Sequence, residues 1–190
     1  MSHYIGINEI RDKIFILTNL SLSGEAIATR YCIGAKKYER SFSDKQYWLQ
    51  TKSIVSNFCL EIAVKLRNAS ELLNSNDLDF ANEKIITCYI AENLVDRTSS
   101  NRDFIYICNK IIHANFFCLG SVGSANYHND INWWDGHLTL SGTFSGKNTK
   151  SWNFFFDIIQ WCEAAINFLE SAEAQLLKLQ SSSEELLLRI

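Results

Sequence analysis

The stretch "RDFIYICNKIIHANFF", residues 102–117, decides the fold, because the hydrophobic period of the chain changes within it. At about 100° per residue, the apolar side chains of residues 104–112 gather on one side of a helix. The opposite side carries a polar strip, which consists of Arg102, Tyr106, Asn109, Lys110 and His113. This two-sided pattern predicts a helix over residues 102–114 with its apolar side against a core.

Beyond His113 the sequence alternates between apolar and polar residues, which is typical of strands. "HLTLSGTFS", residues 137–145, and "KSWNFFF", residues 150–156, both alternate, and "SGKN" between them is a turn signal. A β-hairpin is therefore predicted before the last helix. "NFFCLGS", residues 115–121, can add a third strand to make a meander.

Two helices are predicted between residue 43 and the opening stretch. Ser43 and Asp44 are typical of a helix start, since free N–H groups there favour oxygen acceptors and negative charge. Apolar residues then keep a period of about 3.6 up to "NSND" at 74–77. A further helical run is predicted over 81–97, and "RTSSN" ends it.

The two ends of the chain also have helical patterns. An apolar stripe predicts a helix over 4–18, followed by a break in which Ser23 caps a weaker helix over 25–39. The last long helix is predicted over 157–180. The tail "SSSEELLLRI", residues 181–190, is expected to be frayed or bound to a partner.

The resulting fold class is mainly α, with a small antiparallel β-hairpin or three-strand meander before the last long helix. No internal repeat divides the chain, so residues 1–190 are expected to form one domain. Within it we predict an N-terminal helical extension over 1–42, a helical core over 43–114, a loop and hairpin over 115–156, and a closing helix and tail over 157–190.

Composition limits the classes of function. The net charge of −3 argues against a protein that coats nucleic acid, since such domains are usually basic. The six cysteines contain no C-x-x-C pair, and His128 and His137 lack metal-ligand spacing, so neither a metal nor another cofactor is expected. Without a signal peptide or an 18-residue apolar run, the expected location is the cytoplasm, with free thiols and no membrane contact.

The polar strip holds the groups that suit acid–base chemistry on a phosphate. His113 can accept and return a proton near neutral pH, Asn109 can orient the imidazole, and Lys110 can supply positive charge. Cys108 lies about 140° from His113 on the helical wheel, so it is expected in the core rather than in a site. The alternative is that the strip is only the solvated side of an ordinary helix.

"CNKIIHA", residues 108–114, resembles the motif of HEPN domains, in which an arginine and often a polar residue precede a histidine. His113 matches the motif histidine and Asn109 the polar residue, while Cys108 stands at the place of the arginine. Small bacterial proteins in which a similar helix precedes a hairpin and a closing helix extend the resemblance over about 43–170.

This resemblance implies a helical bundle that dimerises and, in many members, a metal-independent endoribonuclease of bacterial stress or phage defence. It implies catalytic roles for His113, Asn109 and Lys110. Arg102 and Tyr106 are expected to bind substrate, and Arg102 of one chain can replace the missing arginine beside His113 of the other if two such helices pack antiparallel. Arg67 and Arg97 are the other possible donors. RNA and a second copy of the chain are the partners expected.

Two other functions fit the same residues. The first is a non-catalytic dimerisation or partner-binding module with a degenerate site, whose apolar tail docks on a partner protein. The second is a pocket for a flat ligand, because tryptophans suit aromatic walls although they more often pack a hairpin onto helices. The tryptophans in question are Trp133, Trp134, Trp152 and Trp161.

Overall fold

A computed structural model describes residues 6–31, 44–91, 94–123, 131–143 and 151–187, without the side chains of 44, 86–91, 94–101, 180 and 182–187. Most of these residues are helical, as predicted. The helices are α1 (Ile7–Tyr31), α2 (Asp44–Asn74), α3 (Phe104–Ile112) and α4 (Ile158–Leu187). The strands are β1 (Lys84–Ala91), β2 (Leu94–Asp103), β3 (Phe116–Gly123), β4 (Asn132–Thr143) and β5 (Ser151–Asp157).

The strands form one antiparallel sheet in the order β2-β1-β5-β4-β3. The β element predicted before the last helix is confirmed, since β3, β4 and β5 are consecutive antiparallel neighbours. Alternate residues of β4 and β5 are buried against the helices, on what we call the core face of the sheet. The buried side chains on this face include Leu138, Leu140, Trp152, Phe154 and Phe156. Phe144 and the predicted turn at 145–148 lie outside the described residues.

The helix predicted over 81–97 is wrong, and with it the purely helical core over 43–114. This segment forms β1 and β2, which pair antiparallel. β1 lies between β2 and β5 in the interior of the sheet. A strand in that position can carry apolar residues on both faces, so the pair Ile85 and Ile86 loses the alternation that identifies a strand.

The predicted break in the N-terminal helix is also wrong, because α1 continues through Ser23 to Tyr31. Gly24 is buried in α1, and a Cβ added there would lie 2.6 Å from the carbonyl oxygen of Trp134. The glycine therefore permits a close approach of α1 to β4 rather than ending the helix. Residues 32–39 of the predicted second helix lie outside the described residues.

α1 belongs to the main core instead of forming an N-terminal extension. Ile10 and Leu17 are fully buried in the same cluster as residues of α2 and α4. Four alternating charges join α1 to α2 at its surface, because Lys13 and Lys65 each bridge Glu9 and Glu61. The N-terminal helix is thus an integral layer of the fold.

The starts of the two other long helices agree with prediction. α2 begins at Asp44 and ends at Asn74, close to the predicted limits. α4 begins at Ile158 but continues to Leu187, so the first seven residues of the predicted frayed tail are helical. Residues 188–190 lie outside the described residues.

α3 joins the two edges of the sheet, since β2 precedes it and β3 follows it. Four strand spacings amount to about 19 Å, and nine helical residues span about 13 Å. The chain must therefore cross the width of the sheet at α3. Two contacts show that it crosses the core face: the Tyr106 ring lies 5.8 Å from the ring of Phe154 on β5, and the His113 carbonyl lies close to Gly142 on β4.

Candidate functional site

The apolar side of α3 packs into the core, as predicted. Phe104, Ile107, Cys108 and Ile111 are buried, and the Phe104 ring lies 6.0 Å from the rings of both Trp161 and Phe168 on α4. The polar side of α3 faces β5 and β4. Part of the predicted polar strip therefore faces the sheet instead of solvent.

Lys110 lies in a box of aromatic rings between α3 and β5. Its Nζ is 4.4 Å from the ring centroid of Trp152, 5.4 Å from that of Tyr106 and 5.7 Å from that of Phe154. Distances under about 6 Å are those of cation–π contacts. Partial burial, and then the positive charge of Arg102, lower the pKa of Lys110 below its ordinary value.

Arg102 is not on the helix, contrary to prediction, because α3 begins at Phe104 and Arg102 lies near the end of β2. Its guanidinium carbon is nevertheless 5.4 Å from the centroid of the Tyr106 ring, which Lys110 also contacts, and Arg102 is exposed to solvent. Among the described residues, no carboxylate forms an ion pair with Arg102. The structure thus brings Arg102, Tyr106 and Lys110 together, and we call these three residues the cationic cluster.

His113 is the C-terminal cap of α3 and is exposed to solvent. Its backbone N–H donates to the Asn109 carbonyl oxygen at 3.1 Å, and within the described residues its imidazole makes no hydrogen bond. Asn109 is half-buried one turn earlier. The imidazole is therefore at the open end of the helix that carries Lys110, available to a ligand but not yet oriented by a second group.

The helix end is fixed by close packing on the sheet. A Cβ on Gly142 would lie 2.3 Å from Cζ2 of Trp152 and 3.0 Å from the His113 carbonyl oxygen. Trp152 is 1% exposed. Because the indole and the last turn of α3 both rest on Gly142, this position determines how Lys110 and His113 are held above the strands.

Cys108 is excluded from chemistry, as predicted. It is fully buried, and burial raises the pKa of its thiol far above the ordinary value. The position that carries arginine in the HEPN motif therefore points into the core of this chain. Among the described arginines, Arg102 contacts the strip, through the ring of Tyr106.

Sequence reasoning missed the aromatic walls of the Lys110 box. Trp152 and Phe154 were correctly predicted to share one face of a strand, but nothing in their spacing shows that α3 crosses that face. Of the four tryptophans suggested as walls of a ligand pocket, Trp134, Trp152 and Trp161 are core residues at most 1% exposed, and Trp133 is half-buried. A separate cleft of about 450 Å³ lies between β1 and α4, with Glu83 and Glu163 in its lining.

A second polar arrangement lies on the opposite face of the sheet. The His137 ring stacks on Phe155 at 4.8 Å, and its Nδ1 is 3.3 Å from Oδ2 of Asp135. Asp135 Oδ1 also accepts the backbone N–H of His137 at 3.0 Å, within an irregularity of β4 opposite Gly120. The contact between the two residues is therefore explained by the local turn of the strand.

Comparisons of the chain with models of protein families, with curated proteins and with solved structures give no match. None of the helices in the described part of the chain combines the length and apolar composition needed to cross a membrane. Among the described residues, no three His, Cys, Asp or Glu side chains lie close enough to hold a metal ion together.

Proposed function

We propose that this chain is a HEPN-like RNA-binding protein that holds a backbone phosphate of single-stranded RNA at the cationic cluster. The observation that carries the proposal is the pairing of Arg102 and Lys110 around one aromatic ring, with Lys110 partly withdrawn from water. Two neighbouring cations disfavour each other, and an anion between them relieves that repulsion. Phosphate contacts from Arg and Lys are the usual source of affinity for RNA backbones.

The flat side chains of the site suit single strands better than duplexes. Unstacked bases bind by stacking on aromatic rings and guanidinium planes, and a duplex hides those faces. The exposed guanidinium of Arg102 and the half-buried ring of Tyr106 offer such surfaces at the rim. A negative net charge is compatible with this role, because only one local group of cations is required.

Binding is tested with a short labelled single-stranded RNA by fluorescence anisotropy. Arg102→Gln and Lys110→Met should each raise Kd about tenfold, since one charged contact contributes about 1.5 kcal/mol. Each should also reduce the slope of log K against log salt by about one. Arg67→Gln is the control, because Arg67 is half-buried and its charge already pairs with Glu71 at 2.8 Å. Equal affinity of the Arg102 and Arg67 variants would reject the proposal.

We further propose that the bound RNA is cleaved without a metal. A ribose 2′-OH attacks the adjacent phosphorus and its proton passes to His113, while Arg102 and Lys110 hold the phosphate. The P–O5′ bond breaks, and the Lys110 ammonium, a stronger acid because its pKa is lowered, protonates the leaving oxygen. The products are a 2′,3′-cyclic phosphate and a 5′-hydroxyl, and proton exchange with water restores both residues.

The cleavage step is tested on RNA in the presence of a chelator, with the cyclic phosphate identified by mass spectrometry. His113→Ala should abolish cleavage and leave Kd nearly unchanged. His137→Ala is the control, because His137 lies on the opposite face of the sheet. If the wild-type protein binds RNA without cleaving it, the catalytic part is wrong and the binding part stands.

The second candidate function is a non-catalytic dimerisation or partner-binding module. One observation favours it: the residue at the place of the motif arginine is buried, and the His113 imidazole has no orienting hydrogen bond among the described residues. This function predicts that the wild-type protein neither binds nor cleaves RNA. The anisotropy measurement therefore decides between the two.

A further inference from the structure

The two edges of the sheet differ in charge. β2, at one edge, carries four charged residues in ten, which are Asp96, Arg97, Arg102 and Asp103. β3, at the other edge, has the sequence "FFCLGSVG", with neither a charge nor a proline. Charged side chains and prolines are the usual means by which an edge strand avoids pairing with another chain. β3 has none of that protection.

β3 also exposes large apolar side chains. Phe116 is 71% exposed and Val122 is 41% exposed, whereas Phe117 and Leu119 pack against the core. Successive side chains of a strand point to opposite faces, so Phe116 and Val122 lie on the same face of the sheet, six residues apart. Both ends of the strand thus carry an uncovered apolar group.

We infer that β3 pairs antiparallel with β3 of a second copy of this chain, with Leu119 opposite itself on the two-fold axis. In this register Phe116 lies opposite Val122 of the second copy, twice in each dimer, so both exposed apolar side chains are covered. Cys118 lies opposite Gly120, where no side chain competes for space. The strand is self-complementary, as an isologous interface requires, and the two sheets join into one of ten strands.

This dimer does not depend on the proposed RNA binding, but it fixes how far apart the two proposed RNA sites lie. His113 precedes the two-fold axis by six residues, so the two His113 residues lie about 40 Å apart at opposite ends of the paired strands. Arg102 of one chain then does not approach His113 of the other. Each copy uses its own cationic cluster, and the dimer presents two separate sites.

The register is tested by exchanging charges across the proposed pair and measuring the dimer Kd by sedimentation equilibrium. Phe116→Lys alone and Val122→Glu alone should each raise the dimer Kd at least tenfold, because a charge then faces an apolar side chain at both pairs. The double variant Phe116→Lys/Val122→Glu should return to within about threefold of wild type, since opposite charges then face each other. Leu22→Lys is the control, because Leu22 is 69% exposed on α1.

Each result decides the inference. The three altered positions, Phe116, Val122 and Leu22, are exposed, and circular dichroism checks that every variant is folded. A wild-type protein that stays monomeric overturns the interface, as does a dimer that neither single change weakens. Loss of the dimer in both single variants without recovery in the double variant overturns the register.

Discussion

Gly142 connects the stability of the sheet to the candidate site, which makes Gly142→Ala an informative change. The new Cβ would lie 2.3 Å from Cζ2 of Trp152 and 3.0 Å from the His113 carbonyl oxygen, and Trp152 is too buried to turn away. Overpacking of this kind costs about 1–3 kcal/mol, and loss of glycine from a strand returns about 0.5–1 kcal/mol. The expected net loss in the free energy of unfolding is about 1–2 kcal/mol, or about 2–8 °C in Tm.

The matched control for this change is Gly123→Ala in β3. Its Cβ meets Oδ1 of Asn132 at 2.8 Å, but that side chain is exposed and can rotate, so stability should stay within about 0.5 kcal/mol of wild type. Urea unfolding measures both variants, and RNA anisotropy well below Tm measures the site. Gly142→Ala should weaken RNA binding as well as stability, because Trp152 and the end of α3 must move. Equal stability of the two variants would refute the packing argument, and unchanged RNA affinity would refute its link to the site.

Three further predictions concern the rest of the fold. Gly24→Ala should lower Tm although alanine favours helices by about 1 kcal/mol, because the Cβ meets backbone of β4; a higher Tm in thermal unfolding would contradict this. Hydrogen bonds from Lys13 and Lys65 lower the pKa of Glu9 from 4.5 to about 2. The stability that Glu9 adds to the fold is therefore complete above pH 4.5 and is lost as the pH falls towards 2. Glu9→Gln should therefore lose less stability than wild type over that range in acid unfolding at low salt, and an equal loss would refute the role of Glu9. Thiol labelling of the native protein at a concentration where it is monomeric, mapped by mass spectrometry, should modify the exposed Cys118 quickly, and slow labelling there would contradict its exposure. The cysteines expected to stay protected until unfolding are Cys59, Cys108 and Cys162.

The parts of the fold that the sequence predicted well are those with one buried side. α2, α4, β4 and β5 each have a single apolar face, and the period of that face is visible in the sequence. β1 failed because it is an interior strand, where apolar residues on consecutive positions fit a helix as well as a strand. The break predicted in α1 failed because Gly24 serves a contact with β4, which no local pattern reveals.

The candidate site was predicted in composition but not in orientation. The cationic cluster contains three of the five residues assigned to the polar strip, and Cys108 is in the core as expected. The position of the strip against β5 depends on the strand order, because α3 crosses the core face only if β2 and β3 occupy opposite edges. Strand order results from pairing between distant segments, and a hydrophobic period within one segment carries no information about it.

The energetics of Lys110 connect the fold to the proposed function. Partial withdrawal from water and the nearby charge of Arg102 both oppose the ammonium form, while contacts with three aromatic rings favour it. In the proposed complex, a phosphate oxygen beside Lys110 and Arg102 would attract both cations at once and relieve their mutual repulsion, which favours the ammonium form of Lys110.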